Sequence, residues 1–246
     1  MVDRLDESIR AESATSATTR QFVDDAAHEL RTPITAVAAY AELLTGGHVR
    51  NPDDTARINQ GIVIETDRLR RLIEELLYLA RIDEHRDDDS FEKFDVVPIA
   101  LQAADTSMLV GPSWPIDLDT PDQAWCVGSA GEIRRVFDNL LSNIRTHTPA
   151  GTDGRISIET VNNEVRIRVE DSGPGISADD ANRLFDRFWR GDESRARATG
   201  GTGLGLSIVQ AVVDRHRGTV RVERRENTGM AVTITFRSDV PLALDS

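Results

Sequence analysis

Apolar residues in the first third of the chain recur at alternating spacings of three and four. A first stripe comprises Val23, Ala27, Leu30, Ile34, Val37, Ala41 and Leu44. Beyond Gly46, Gly47 and Pro52, a second stripe comprises Ile58, Ile62, Leu69, Leu72, Leu76 and Leu79, interrupted by Glu65 and widened by Ile73 and Leu77. This spacing is typical of helices in coiled-coil-like bundles. We therefore predict an antiparallel helical hairpin.

A hairpin of this size buries too little apolar surface by itself. We expect two hairpins to associate as a four-helix bundle in a homodimer. The alternative is that both stripes pack on the second half of the same chain.

The residues after the charged segment 81–96 follow a different pattern, in which apolar and polar residues alternate. We predict strands over Ile156–Val161 and Val165–Asp171 joined by Asn162–Asn163, then an amphipathic helix over 204–216 and a second hairpin over 219–236. Strands mixed with helices indicate an α/β sandwich, so the fold class of the whole chain is α+β.

Charge and cysteine content narrow the possible functions. The 246 residues carry a formal charge of −13, which argues against bulk electrostatic binding of nucleic acid. The single cysteine, Cys126, excludes an internal disulfide, and its apolar neighbours indicate a buried small side chain.

No apolar run approaches the about 18 residues of a membrane helix, and no signal peptide is visible. We expect these residues to be cytosolic.

The segment EIRRVFDNLLSN predicts a helix whose side-chain amides share one face. Asn139 and Asn143 lie four residues apart, opposite an apolar side. Amide oxygens suit Mg²⁺ when waters and phosphates complete the coordination. Two asparagines on a helix surface, or at its cap, are the alternative interpretation.

Two glycine-containing segments suit the base and the phosphates of a nucleotide. Asp171 ends a predicted strand before Gly173 and Gly175, where a carboxylate can accept a hydrogen bond from an exocyclic amine; an ordinary turn is the alternative. A second segment opens a helix with Gly200, Gly201, Gly203 and Gly205, which favours an anion site over a merely flexible loop.

Two commoner nucleotide motifs fit poorly. The P-loop pattern does not occur. The segment from Gly173 to Ala178 matches G-x-G-x-x-A, but the residues after it form a polar loop rather than a second parallel strand. An oxidoreductase that binds NAD(H) is therefore a weak alternative.

The order of motifs HELRTP (28–33), DNLLSN (138–143), DSGPG (171–175), LFDRFWR (184–190) and GGTGLGL (200–206) covers nearly the whole chain. In this order the chain resembles a bacterial two-component sensor histidine kinase, with a HisKA dimerisation and phosphoacceptor domain joined to an ATP-binding domain of the gyrase, Hsp90, histidine kinase and MutL (GHKL) superfamily. The resemblance implies a helical hairpin followed by an α/β sandwich of the Bergerat type. It implies that residues 1–20 end a HAMP linker, 21–86 form the phosphotransfer domain, 87–94 a linker, and 95–246 the catalytic domain.

The resemblance assigns roles to the HELRTP segment. His28 is the autophosphorylation site, Glu29 its general base or orienting partner, and Thr32 the residue that helps to place a water for dephosphorylation of a response regulator. Pro33 removes the amide that would bond to the Glu29 carbonyl and is expected to bend or loosen the helix.

The resemblance also assigns the ATP site. Asn143 is the Mg²⁺ ligand, assisted by Asn139, and Asp171 binds adenine on the turn of Gly173 and Gly175. The remaining assignments are Phe185 and Phe188 as anchors of a lid over 191–201, Arg190 as a candidate phosphate contact, and Gly201, Gly203 and Gly205 around the phosphates.

Three positions depart from the family pattern: Ile144 is bulky, Thr146 stands where lysine is common, and Arg217 stands where glycine is usual. The implied function is an ATP-dependent protein-histidine kinase that phosphorylates a response regulator, also acts as its phosphatase, and forms the cytoplasmic portion of a membrane-anchored protein. A dimeric scaffold or phosphatase with weak catalysis is the alternative.

Overall fold

The computed structural model describes residues 2–46, 51–84, 91–190, 201–225 and 229–238. The chain divides into two compact units, Met1–Leu77 and Tyr78–Ser246, which are described separately.

The first unit is built from two long helices. Helix α1 runs over Val2–Thr45 and helix α2 over Pro52–Glu84. The Glu29 carboxylate lies 3.8 Å from the Arg68 guanidinium, and a Cβ added to Gly61 would lie 2.7 Å from the Tyr40 ring. Because higher positions on α1 meet lower positions on α2, the helices are antiparallel, which confirms the predicted hairpin.

Helix α1 continues through Pro33, so the proline does not end it. Pro33 itself is buried. At the other end of the hairpin, the Asn51 side chain accepts a hydrogen bond from the Asp53 amide at 3.0 Å and caps α2. Of the residues predicted to break the helix, Gly47 lies outside the described residues.

Much of the apolar surface of the hairpin faces outward in the single chain. Val23 is 58% exposed and Ile34 53% exposed, although both belong to the predicted α1 stripe. Other large apolar side chains of these helices are exposed as well, namely Leu43, Val63, Ile64, Ile73 and Leu77. The hairpin therefore leaves an apolar surface that intrachain helix packing does not cover.

The described residues of the second unit form two sheets and three longer helices. Its strands are β1 (Glu92–Asp95), β2 (Ile116–Asp119), β3 (Trp125–Gly128), β4 (Gly154–Val161), β5 (Glu164–Asp171), β6 (Thr219–Arg224) and β7 (Met230–Arg237). Its helices are α3 (Val96–Val110), α4 (Ala130–His147), the short α5 (Ala178–Ala181) and α6 (Gly205–Arg215). Strands β1 and β3 pair antiparallel, and β1 begins inside the range predicted as linker.

The main sheet has the strand order β2-β4-β5-β7-β6, with only the β2–β4 pair parallel. The predicted strands and the helix between them are confirmed. Asn162 and Asn163 both have positive φ, at 52° and 63°, as a two-residue hairpin turn requires.

One face of the sheet carries the core. Alternate residues of β5 are buried, and the residues between them are charged and form ion pairs such as Arg166–Glu159 and Arg168–Glu170. Helix α4 contributes the apolar side chains Ile133, Val136, Phe137, Leu140, Leu141 and Ile144 to the core. This two-layer arrangement is the predicted α/β sandwich.

Cys126 is 2% exposed, as its apolar neighbours predicted. Burial, together with the charge of Asp95, raises the pKa of its thiol to about 12. A thiol of this kind stays protonated and unreactive near neutral pH.

The end of α2 belongs to the second unit. The Arg135 guanidinium of α4 lies 3.8 Å from the centre of the Tyr78 ring, a cation–π contact. Leu79 and Ile82 are buried. The compact division therefore falls at Leu77, whereas the family pattern places the domain boundary at residue 86.

Candidate functional site

The first cluster of predicted residues lies on α1. His28 is exposed on the helix surface, and the Thr32 hydroxyl, one turn later, donates a hydrogen bond to the His28 carbonyl at 3.4 Å. Glu29 is half-buried, and its carboxylate lies near Arg68 of α2 rather than being free in solvent. An accessible imidazole beside an oriented carboxylate is an arrangement that can transfer a proton and a phosphoryl group.

Asp171 ends β5 and is 5% exposed. Its carboxylate accepts a hydrogen bond from the backbone amide of Gly173 at 2.8 Å. Burial raises the pKa of Asp171, while the backbone amides of Gly173 and Met230 and the charge of Arg225 oppose that shift. A buried carboxylate directed by a backbone amide suits a hydrogen-bond donor on a ligand.

The turn after Asp171 requires its glycines. A Cβ on Gly173 would lie 2.6 Å from the Thr148 methyl group and 2.8 Å from the Asp171 carboxylate. Gly175 has φ of +73°, a conformation that side chains rarely adopt. The turn therefore packs against the end of α4, where Thr148 is the C-cap.

Asn139 and Asn143 lie on the α4 face that meets the start of α6. The Asn139 amide nitrogen donates to the Arg135 carbonyl at 2.9 Å, which directs its oxygen the other way. A Cβ built on Gly205 would lie 3.1 Å from the Asn139 oxygen and 3.8 Å from the Asn143 oxygen. Two amide oxygens thus converge on the first turn of α6, whose N-cap Leu204 supplies no side-chain hydrogen bond.

This convergence fits a hydrated cation held next to phosphates. In the described part of the chain, no group of three or more His, Cys, Asp or Glu side chains could hold a metal ion. A metal site at this position therefore depends on the amide oxygens together with phosphate and water oxygens, which is the donor set that Mg²⁺ prefers.

The two segments that flank the predicted lid interlock through their backbones. Phe188 has φ of 61°, and its amide donates to the Gly203 carbonyl at 2.9 Å. A Cβ on Gly203 would lie 2.9 Å from the Phe188 Cα. Phe185 and Arg190 are half-buried, and a Cβ on Gly201 would lie 3.7 Å from the Thr146 methyl group. Gly200 and most of the predicted lid lie outside the described residues.

Of the three departures from the family pattern, Ile144 has a packing role and Arg217 has a strained backbone conformation. Ile144 is 4% exposed and packs on the sheet, where a Cβ on Gly154 would lie 3.1 Å from its Cδ1. Arg217 has φ of 55°, which a glycine at that position would adopt without strain. Arg145, beside Thr146, donates to the Ser107 hydroxyl of α3 at 2.8 Å, so this arginine does not stand in for the missing lysine.

His216 connects the start of α4 with the end of α6, and these are the two helices that carry Asn139, Asn143 and Gly205. Its Nε2 accepts a hydrogen bond from the Ser129 amide, the N-cap of α4, at 3.0 Å, and its Nδ1 lies 2.8 Å from the Val212 carbonyl. Burial lowers the pKa of His216. The neutral imidazole with its proton on Nδ1 satisfies both contacts at once.

The sequence patterns did not identify Arg225, Gly229 and Met230, which surround Asp171. All three lie in the predicted hairpin over 219–236, where their residue types indicate no further role. The register of β5 with β7, which pairs Glu170 with Ala231, is what brings this hairpin end to Asp171.

Two family models match the chain. Residues 18–85 match the His Kinase A (phospho-acceptor) domain. Residues 128–240 match the histidine kinase-, DNA gyrase B-, and HSP90-like ATPase.

Curated relatives extend over both matched regions. The chain is 40% identical over 224 residues to the probable sensor histidine kinase TcrY of Mycobacterium tuberculosis, covering 90% of this chain and 46% of TcrY. It is 36% identical over 222 residues to the sensor-like histidine kinase SenX3 of Mycolicibacterium smegmatis, covering 89% of this chain and 58% of SenX3. The chain thus spans about half the length of these relatives.

Solved structures share the fold. The Acinetobacter baumannii histidine kinase AdeS superposes with a TM-score of 0.69 at 24% identity, over 87% of this chain and 98% of that one. Histidine kinase ThkA, crystallised with the response regulator TrrA, gives a TM-score of 0.68 at 22% identity, over 89% of this chain and 61% of that one.

In the part of the chain that the structure describes, no helix has the length and apolar content to span a membrane.

This chain combines two features. Its helical hairpin carries an exposed histidine, and its ATP-binding domain carries a buried aspartate and converging asparagines. Both regions match family models and relatives. The chain belongs to the two-component sensor histidine kinases.

Proposed function

We propose that this chain is an ATP-dependent protein-histidine kinase that phosphorylates His28 and passes the phosphoryl group to an aspartate of a response regulator. One observation carries the proposal: the Asn139 and Asn143 oxygens converge on the first turn of α6 in a chain that also exposes His28 on its hairpin. The first feature suits a nucleotide, and the second suits a phosphoryl acceptor.

The nucleotide would be held at both of its ends. Asp171 would accept a hydrogen bond from the adenine amine, supported by the turn of Gly173 and Gly175. Gly201, Gly203 and Gly205 would present backbone amides to the phosphates at the start of α6. Phe185 and Phe188 would anchor the lid, and Arg190 would contribute positive charge.

Asn143, assisted by Asn139, would hold Mg²⁺. When bound, this ion neutralises phosphate charge and so favours transfer of the γ-phosphoryl group. The contribution of the chain itself is to orient two amide oxygens, one of them fixed by the Arg135 carbonyl.

The phosphoryl transfer itself takes place at His28. A ring nitrogen with a free lone pair forms the N–P bond while the bond from the γ-phosphorus to the bridging oxygen breaks, and ADP leaves with that electron pair. Glu29 would accept the proton from the other ring nitrogen or orient it, and the exposure of His28 lets the ATP-binding domain or a response regulator reach it.

Removal of phosphate from the response regulator would use Thr32. Its hydroxyl lies one helical turn from His28 and can bond a water there as well as the His28 carbonyl. A threonine so placed contributes to hydrolysis without being the phosphoryl acceptor.

We further propose a homodimer with a four-helix bundle at residues 21–86, in which the exposed apolar residues of α1 and α2 form the interface. Residues 95–246 would then supply the catalytic domain, 87–94 the linker, and 1–20 the end of a HAMP linker. The chain spans about half the length of its relatives, and we also propose that it is the cytoplasmic portion of a membrane-anchored sensor.

The proposal is tested by separating nucleotide binding from labelling. With the purified chain, His28→Ala is expected to bind ATP as tightly as wild type but to take no label from γ-labelled ATP. Asn143→Ala is expected to lose labelling and also the Mg²⁺-dependent part of ATP affinity. Binding of ATP without labelling by the wild-type chain would favour the scaffold or phosphatase alternative.

A further inference from the structure

Arg225, at the end of β6, connects two backbone segments around Asp171. Its Nη1 donates to the Asp171 carbonyl oxygen at 3.1 Å, and its Nε lies 3.6 Å from the Glu170 carboxylate. Its own backbone amide donates to the Gly229 carbonyl at 3.2 Å. One residue therefore contacts β5 with its side chain and the start of β7 with its main chain.

The contact at Gly229 leaves no room for a side chain. Gly229 has φ of +100°, and a Cβ there would overlap the Asp171 carbonyl oxygen. On the other side, a Cβ on Gly175 would lie 2.8 Å from the Gly229 carbonyl oxygen. Three backbone segments are thus packed together at the buried end of β5.

The Asp171 carboxylate itself accepts a hydrogen bond from the Gly173 amide at 2.8 Å. Arg225 holds the Asp171 carbonyl with its side chain and the Gly229 carbonyl with its main chain, so it fixes the backbone from which this carboxylate extends. The direction of the carboxylate therefore depends on a side chain that does not reach the ligand.

We propose that Arg225 is a positioning residue for base recognition, and that through Asp171 it favours a purine with an exocyclic 6-amino group over one with a 6-oxo group. This inference rests on the proposed function, in which Asp171 meets the base. A carboxylate held in one direction accepts a hydrogen bond from an amine but repels an oxo group, whereas a loosely held carboxylate turns away and discriminates less.

Arg168 provides a matched control. It pairs with the same Glu170 carboxylate at 3.1 Å and also contacts Glu223 and Thr233, all on the charged face of the sheet. Its hydrogen bonds and ion pairs do not include Asp171. Arg168→Gln thus removes one positive partner of Glu170 while the contact between Arg225 and Asp171 remains.

The test compares dissociation constants for ATP and inosine triphosphate, measured by calorimetry on the full chain with Mg²⁺. We expect wild type to prefer ATP by about tenfold or more. Arg225→Gln should lower the ratio of ATP affinity to inosine triphosphate affinity by about fivefold, mainly by weakening the binding of ATP. Arg168→Gln should leave the ratio unchanged, and Arg225→Lys, which keeps one positive donor, should give an intermediate ratio.

An equal weakening of both nucleotides by Arg225→Gln, or an unchanged ratio, would overturn the positioning role. If Arg225→Gln fails to fold, Arg225→Lys decides, and a wild-type ratio in that variant contradicts the inference. A wild-type chain that binds neither nucleotide would instead refute the proposed function, and a wild-type chain that binds both equally would refute the role of Asp171.

Discussion

Gly205 is the position at which an added methyl group is expected to weaken ATP binding without harming the fold. A Cβ there would lie 3.1 Å from the Asn139 oxygen and 3.8 Å from the Asn143 oxygen, in the space where the two amides converge. The Asn139 side chain cannot rotate away freely, because its amide nitrogen donates a hydrogen bond to the Arg135 carbonyl. Gly205 is also the first residue of α6, where alanine is a better helix former than glycine.

The size of the effect follows from the contact that is lost. A hydrogen bond or ligand contact to a charged group contributes about 1.5–3 kcal/mol, so Gly205→Ala should weaken Mg²⁺-dependent ATP binding by about 10- to 150-fold. The unfolding temperature without nucleotide should stay the same or rise, because alanine lowers the entropy of the unfolded chain.

Gly131→Ala is the matched control for this prediction. Gly131 lies in the first turn of α4, and a Cβ there would meet nothing within 4 Å. Titration calorimetry and thermal unfolding would be measured on both variants. Equal ATP affinity of Gly205→Ala and wild type, or an equal loss in Gly131→Ala, would refute the inference that the asparagine oxygens face the bound nucleotide.

Three further predictions concern strain, pH and dephosphorylation. Arg217→Gly should raise stability by about 1 kcal/mol by relieving the positive φ of 55°, which thermal unfolding would show, whereas Arg217→Ala should give no gain. Because burial lowers the pKa of His216, its neutral form stabilises the fold, and this contribution should be lost as pH falls below the ordinary value of 6.5. Urea unfolding from pH 7.5 to 5 should therefore show a steeper loss in wild type than in His216→Gln, and parallel curves would contradict this. Thr32→Ala should keep autophosphorylation while slowing release of phosphate from a phosphorylated response regulator, and an equal loss of both activities would contradict the separate role of Thr32.

Local patterns predicted the elements of the second unit well. Alternation of apolar residues located β4 and β5, and the pair Asn162–Asn163 predicted the positive φ angles of the turn between them. These features depend on residues close in sequence, whose preferences are visible without the fold.

Contacts between segments that are distant in sequence could not be predicted from these local patterns. The position of Arg225 beside Asp171 depends on strand order and register, and the link from His216 to Ser129 spans 87 residues. The surroundings of Ile144 likewise depend on tertiary packing, since its bulky side chain is buried in the core.

The division between the two compact units after Leu77 is likewise not visible in the sequence. The apolar stripe of α2 runs past this point without a break in its spacing, so the sequence offers no marker of it. Tyr78, the first residue of the second unit, contacts Arg135, a residue 57 positions later in the chain (135 − 78).

The central claim is that His28 accepts the γ-phosphoryl group of ATP. The most direct measurement incubates the purified chain with γ-labelled ATP and Mg²⁺ beside His28→Gln, and then tests the label in acid and in base. We predict label on the wild-type chain alone, lost in acid and retained in base, as a phosphorylated histidine requires. Acid-labile, base-stable label of equal amount on His28→Gln would contradict the assignment of the phosphoryl acceptor.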